Sequence, residues 1–184
     1  MRTDDDRRGA ASSYTIRPAA ESDLPALTEI YNHYVVNSSI TFDVRPLTVE
    51  ERRPWFDEHA PTGPHRMLVA LGNANACVGY ATSSRWRPKA AYDTTVEVSI
   101  YCHPDVVGHG CGTRLYSELF AALGEEDVHA IVAGVSLPNP ASIALHEHFG
   151  FRSVGVFNQV GRKFGKLWDV EWFQRPLRLP ARTA

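Results

Sequence analysis

Three glycines at alternate positions, Gly108, Gly110 and Gly112, separate an apolar run, Val96 to Cys102, from a stretch in which Leu115, Leu119, Phe120 and Leu123 recur at three- and four-residue steps. The pattern reads as strand, bare turn, helix. A turn without side chains lets an anion approach the backbone. The first-turn N–H groups of a helix have no partner within it, so they point at that anion with the macrodipole's partial positive charge behind them. This is the layout of an anion cradle, and the ligand it predicts is the pyrophosphate of a nucleotide-like cofactor. The spacing excludes two common versions. A dinucleotide fingerprint needs G-x-G-x-x-G with an acidic ribose ligand about 20 residues on, and a P-loop needs Lys and then Ser or Thr after its last glycine. Here Gly112 is followed by Thr113-Arg114. The glycines by themselves also fit a plain flexible turn.

The elements that must position this turn follow from periodicity. Tyr14 to Arg17 alternates as a strand, and Asp23 is placed to cap a helix whose apolar stripe is Leu24, Leu27, Ile30, Tyr31, Tyr34 and Val35. Thr48 with Glu51 forms a capping box for a second helix, which Pro54 should kink or shorten. Strands are predicted over 66–71, 77–83 and 94–102, the first two as a hairpin turning at Gly72-Asn-Ala-Asn. After the glycine turn come a helix to about Gly124, a wholly apolar strand over 130–135, and a helix over 141–149 closed by Gly150. Two strands, about 152–158 and 167–175, end the chain. This order predicts one α/β layer structure, a mixed sheet with helices on both faces and parallel neighbours in its second half.

Length and composition set the outer limits. A chain of 184 residues suits one domain. We expect it to occupy residues 14–178, with polar tails over 1–13 and 179–184. A net charge of −2 does not indicate nucleic-acid or membrane-surface partners. No apolar run approaches the roughly 20 residues of a membrane span. The charged N-terminus has no apolar secretory core, and Cys77, Cys102 and Cys111 are odd in number and widely spaced. Both features argue for a reducing cytoplasm and for cysteines as small buried residues. His146-Glu-His148 is not a zinc motif, because residues two apart on a helix point in different directions. No metal site is expected.

Together, Pro104 through Gly112, Asn139, Ala144, Gly150 and Phe151 resemble the core motifs of the GCN5-related N-acetyltransferases. Ala91 to Glu97, Leu137-Pro-Asn-Pro140, His146-Glu147 and Lys166 to Val170 resemble more closely the phosphinothricin N-acetyltransferase family. The likeness runs from about Tyr14 to Leu177. It implies the acyl-CoA N-acyltransferase fold and acetyl-CoA as co-substrate, held by Gly108, His109, Gly110, Cys111, Gly112 and Thr113. Ile100, Tyr101 and Cys102 would lie along the pantetheine arm, on a strand edge that splays from its parallel neighbour after Glu97, with Asn139 nearby. Val107 departs from the family's polar residue, and Gly108 stands where relatives often carry Arg. Positive charge is lost at both places, while the backbone cradle, which needs only N–H groups, is kept.

The resemblance implies acyl transfer from a thioester to the α-amine of a small amino-acid-like substrate, of phosphinothricin, methionine sulfoximine or methionine sulfone type. A protonated amine must first lose a proton, and Glu97, a carboxylate in an apolar strand, is the implied base. Period-two alternation also fits Glu97 as an outward-facing strand residue. His146 is the implied proton donor to the leaving thiolate, or else a satisfied polar residue on a helix face. Asn139 also fits an ordinary turn between prolines. Arg85, Arg87, Tyr92 and Phe42 are the implied substrate contacts; arginines on a loop are equally at home in solvent. Other amines remain open, among them a polyamine, an aminoglycoside or a protein terminus, as does a non-catalytic acyl-CoA-binding module. A homodimer is the expected assembly.

Overall fold

The computed structural model describes residues 14–177; the expected tails over 1–13 and 179–184 lie outside that range. Seven strands form one sheet: β1 (Thr15–Pro18), β2 (Arg66–Leu71), β3 (Cys77–Arg85), β4 (Thr95–Cys102), β5 (Ala130–Ser136), β6 (Arg152–Lys163) and β7 (Lys166–Pro176). Four α-helices cover it: α1 (Leu24–Asn37), α2 (Val49–Asp57), α3 (Cys111–Gly124) and α4 (Pro140–His148). The strand order is β1-β2-β3-β4-β5-β7-β6.

Among the seven strands, β4 and β5 pair in parallel and every other strand pair is antiparallel. The expectation of parallel neighbours in the second half therefore holds at one junction. The reason is local: β6 and β7 are joined through Phe164-Gly165, both with positive φ (53° and 71°). That tight reversal forces an antiparallel hairpin, whose second strand docks beside β5. β6 runs five residues past the expected end at 158, and β7 exceeds the expected 167–175 by one residue at each end.

The two faces of the sheet are filled by different helices. On one, Leu115, Tyr116, Leu119, Phe120 and Leu123 of α3 pack against Ala81, Val96, Val98, Ile131 and Val135. On the other, Leu27 and Ile30 of α1 meet Met67, Val69 and Tyr80, with Tyr101 against the same group. Side chains alternate along a strand, so Val96 and Val98 face α3 while Glu97 and Tyr101 face α1 and α2.

Two helix starts show where local chemistry decided. Thr48 and Glu51 form the predicted capping box at distances of 3.2 and 2.9 Å, and Pro54 is accommodated inside a helix that ends three residues later. Asp23 precedes α1 but does not cap it with its side chain. Its carboxylate instead accepts the Ala20 N–H at 2.8 Å and both Arg17 nitrogens at 2.7 and 2.8 Å. A charged fork six residues away outcompetes a single backbone donor.

Candidate active site

β4 and β5 pair only at Thr95↔Ala130, Val96↔Ile131 and Glu97↔Val132. Beyond that point β5 continues beside β7, and β4 stays on β3 as far as Gly79↔Cys102. The two strands therefore part like the arms of a V. Between them lies a cavity of 880 Å³, walled by Val98 to Cys102 on one arm, Gly134 to Ser136 on the other, α4 alongside and the glycine turn at the mouth.

The turn has the form expected of a cradle. Gly108 and Gly110 take φ values of 82° and 84°, which side chains rarely tolerate, and the space where a Cβ would stand is open at both. Gly110 offers no side-chain cap to α3, and the Arg114 N–H closes the first turn on Gly110 O at 3.0 Å. The amides of Cys111, Gly112 and Thr113 are the first-turn donors, which have no partner within the helix. Among the described residues that line the cavity there is no carboxylate, lysine or arginine. An anion there meets backbone dipoles and neutral groups, with His33, His146 and His148 in the wall.

Of the residues implied as cofactor contacts, Ile100, Tyr101, Cys102, Gly108, Gly110, Gly112, Thr113 and Asn139 line this cavity; His109 and Cys111 do not. The Cys111 side chain is buried in the α3 core, which leaves only its backbone N–H for the cradle. His109 is exposed on the turn. The Asn139 side chain caps α4 by accepting the Ser142 N–H at 3.2 Å, and the residue borders the cavity. The Cys102 carbonyl is engaged from the α1 side by the Tyr34 hydroxyl at 2.6 Å.

Glu97 sits at the fork, half-buried, on the face opposite α3 and outside the cavity lining. Burial raises its pKa above the ordinary carboxylate range, and the charge of Arg87 partly opposes that rise. No hydrogen bond to its carboxylate occurs among the described residues. Its cross-strand neighbour is Ser84, which lines a second hollow of 500 Å³ together with His59, His65, Arg85, Trp86 and Arg87. In that hollow the Ser84 hydroxyl and His59 Nε2 are 2.9 Å apart, and His59 Nδ1 is 2.8 Å from the Trp55 carbonyl. Burial holds both His59 and His65 below the usual imidazole pKa. The Trp86 indole nitrogen is buried without a partner among the described residues. Tyr92 packs edge-on against Trp86 at 5.1 Å, and Phe42 lies against Gly161 of β6, so neither lines the hollow.

His146 is 3% exposed, with burial pushing its pKa down. Its Nδ1 lies 2.7 Å from the Ser142 carbonyl, and its Nε2 lies 3.1 Å from the Tyr116 hydroxyl. Tyr116, Tyr34, Ser142 and Ser136 all border the cavity, and none stood out in the sequence. Tyr116 and Tyr34 sit in helical apolar stripes, where an aromatic reads as core packing.

Residues 16–172 match the family described as acetyltransferase (GNAT) domain. A phosphinothricin N-acetyltransferase of Streptomyces coelicolor is 52% identical over 163 residues, covering 88% of this chain and 95% of that protein. An L-methionine sulfoximine/L-methionine sulfone acetyltransferase of Pseudomonas aeruginosa is 37% identical, covering 94% and 99%. The crystal structure of a GNAT superfamily phosphinothricin acetyltransferase from Sinorhizobium meliloti, in complex with acetyl-CoA, superposes with a TM-score of 0.85 at 33% identity, covering 93% and 95%.

Glu97 also marks the cost of a half-buried carboxylate. Its folded-state pKa is raised. The stability it contributes is therefore complete below the ordinary glutamate pKa of about 4.3 and is lost as pH rises through the higher folded value. Glu97→Gln is expected to be more stable than the native protein at pH 7, with the difference shrinking towards pH 4. Urea unfolding at the two pH values checks this; equal or lower stability of the variant at pH 7 would show that the carboxylate is well solvated.

Proposed function

Because this chain belongs to the GNAT acetyltransferases and is an N-acetyltransferase, we propose that it moves the acetyl group of acetyl-CoA onto the α-amine of a small amino-acid-like acceptor. The acceptor carries an acidic or strongly polar group, as phosphinothricin, methionine sulfoximine and methionine sulfone do. The observation that carries this reading is the unbroken course of the β4 edge, freed just past Glu97 and running to the glycine turn. The named activities of the phosphinothricin and methionine sulfoximine relatives support the choice of acceptor.

In this reading the amides of Gly108 and of Gly110 to Thr113 hold the pyrophosphate, the His109 N–H being taken by the Val106 carbonyl, and the absence of carboxylates from the described cavity wall suits a polyanion. Ile100 and Cys102 offer backbone N–H groups to the pantetheine arm, while Tyr101, whose backbone pairs with Tyr80, borders the same stretch, with Asn139 beside them. The thioester supplies the acyl group. Glu97 takes the proton that makes the amine nucleophilic, which its raised pKa suits. Attack on the acyl carbon is direct, and backbone N–H groups on the freed edge stabilise the oxyanion. His146 serves the departing sulfur. Arg87, and Arg85 at 3.8 Å from Asp93, offer cations to the acceptor's acidic group in a hollow that Glu58 also lines, beside a Trp86 N–H that has no partner among the described residues.

Acetyl-CoA and each of the three compounds, with thiol release followed, test the reading; no release from these or from a wider amine panel would overturn it. Glu97→Gln should lower kcat by roughly 10²- to 10⁴-fold, the usual contribution of a positioned base, with acetyl-CoA affinity little changed. Arg87 lowers the Glu97 pKa in the folded protein, so Arg87→Ala should move the acid limb of kcat/KM to higher pH. A limb that stays in place would uncouple Arg87 from the base.

A further inference from the structure

Where α2 stops, its last carbonyls have no amide four residues on. The Trp55 carbonyl is one of them, because the His59 N–H goes to Phe56 O at 3.1 Å. The His59 side chain fills the gap, with Nδ1 2.8 Å from Trp55 O. A carbonyl oxygen only accepts, so neutral His59 carries its ring proton on Nδ1 and a lone pair on Nε2. The Ser84 hydroxyl lies 2.9 Å from Nε2 and therefore donates to it. With its proton committed there, Ser84 presents to the 500 Å³ hollow an oxygen with lone pairs.

That oxygen faces the same way as Glu97. Ser84 and Glu97 stand directly opposite each other across β3 and β4, so both side chains leave the α1/α2 face of the sheet. Such a pair has Cβ atoms roughly 5 Å apart. An ammonium placed between them can donate one N–H to the carboxylate and another to the hydroxyl oxygen. The charged and titratable groups around His59 come from every neighbouring element. Glu58 ends α2, His65 precedes β2, Arg85 and Arg87 lie where β3 ends, Asp93 is 3.8 Å from Arg85, and Glu97 is on β4. Burial is the strongest influence on His59 and holds its pKa below the usual imidazole value, against the opposing effects of the Trp55 carbonyl and Glu58.

We propose that Ser84, its hydroxyl oriented by His59, receives a hydrogen bond from the amine of the substrate on the side away from Glu97. The assignment rests on the acetyl-transfer reading and adds to it a residue that recognises the nitrogen itself. Glu97 takes a proton from the nitrogen while Ser84 holds an N–H, which keeps the amine at the fork of the strands. His59 touches no substrate and is a positioning residue. Protonated His59 has hydrogen on both ring nitrogens, so Nε2 then donates to Ser84 and the hydroxyl proton turns into the hollow, where it opposes an ammonium. Amine binding therefore weakens as pH falls through the His59 pKa.

Nitrogen-15 NMR of histidine-labelled, ligand-free protein should show His59 in the Nδ1–H tautomer at neutral pH; a proton resident on Nε2 would overturn the assignment. Kinetics are read with whichever of the three acceptors turns over. Ser84→Ala should raise the acceptor KM at least tenfold, the usual loss for a hydrogen bond to a charged group, and leave the acetyl-CoA KM within about threefold. The analogue of that acceptor with hydrogen in place of the amine, used as a competitive inhibitor, should bind the variant and the native protein within twofold of each other. Equal weakening of acceptor and analogue would show that Ser84 only shapes the hollow, and the proposal would fail. In the native enzyme the acceptor KM should rise as the His59 NMR signal gains its proton; a rise that persists unchanged in Ser84→Ala removes His59 from amine recognition. If the native enzyme releases thiol while Ser84→Ala keeps the acceptor KM within twofold, the amine contact is wrong and acetyl transfer stands. If the native enzyme acetylates no amine, both fall together.

Discussion

Past Glu97 and Val132, the peptide groups on one side of β4 lose their strand partner, and unpaired backbone in a sheet interior has to be satisfied by something else. Here the interior opens into a cavity, so a ligand with its own amides and carbonyls can supply what β5 withholds. The rest of the molecule is arranged around that vacancy. β7 takes up the far edge of β5, which stops β5 from swinging back towards β4. α3 closes one face and points its amino end at the mouth, and α4 walls the opposite arm. The fork also determines position: the last paired residue of β4 is the carboxylate proposed as base, so the chemistry sits where the strands begin to separate.

Electrostatics follows the same division. The cavity wall holds no permanent charge among the described residues, and its attraction for a polyanion comes from amides at a glycine turn. In the proposed function, the uncharged Val107 and Gly108 would leave that main source of binding intact. Charge is concentrated on the other face, where Arg85 and Arg87 border the hollow beside Glu97. In the proposed function, a donor rich in phosphate and an acceptor with a small acidic group would thus meet different kinds of recognition on opposite sides of one strand.

How much of this could be read beforehand depends on sequence distance. The glycine turn, α3, the α2 capping box and the alternation that buries Val96 and Val98 are local patterns, and local patterns were legible. What needed the fold was contact between distant segments. His59 and His65 join Arg85 and Arg87 in one hollow, although nothing in their spacing connects them. Tyr116 looked like one more apolar position on α3, because the partner that makes its hydroxyl matter lies 30 residues on. The three cysteines read as unrelated. Yet Cys111 Sγ and Cys102 Cα both lie within 3.3 Å of where a Gly79 Cβ would stand, and Cys77 is near enough to be felt electrostatically by Cys111. Asp23 failed as a cap prediction for the same reason in miniature: a helix start shows its own donors but not the Arg17 that competes for the carboxylate.

The central claim is that the freed β4 edge and the glycine turn are two ends of one acyl-CoA site. Hydrogen exchange of the native protein with and without acetyl-CoA addresses it directly. The account predicts new protection at the amides of Ile100 and Cys102 and of the glycine turn together, with the outer hairpin, β6 and β7, unchanged. Tight binding that protects the turn but leaves Ile100 and Cys102 exchanging as before, or that protects some other surface, would contradict it.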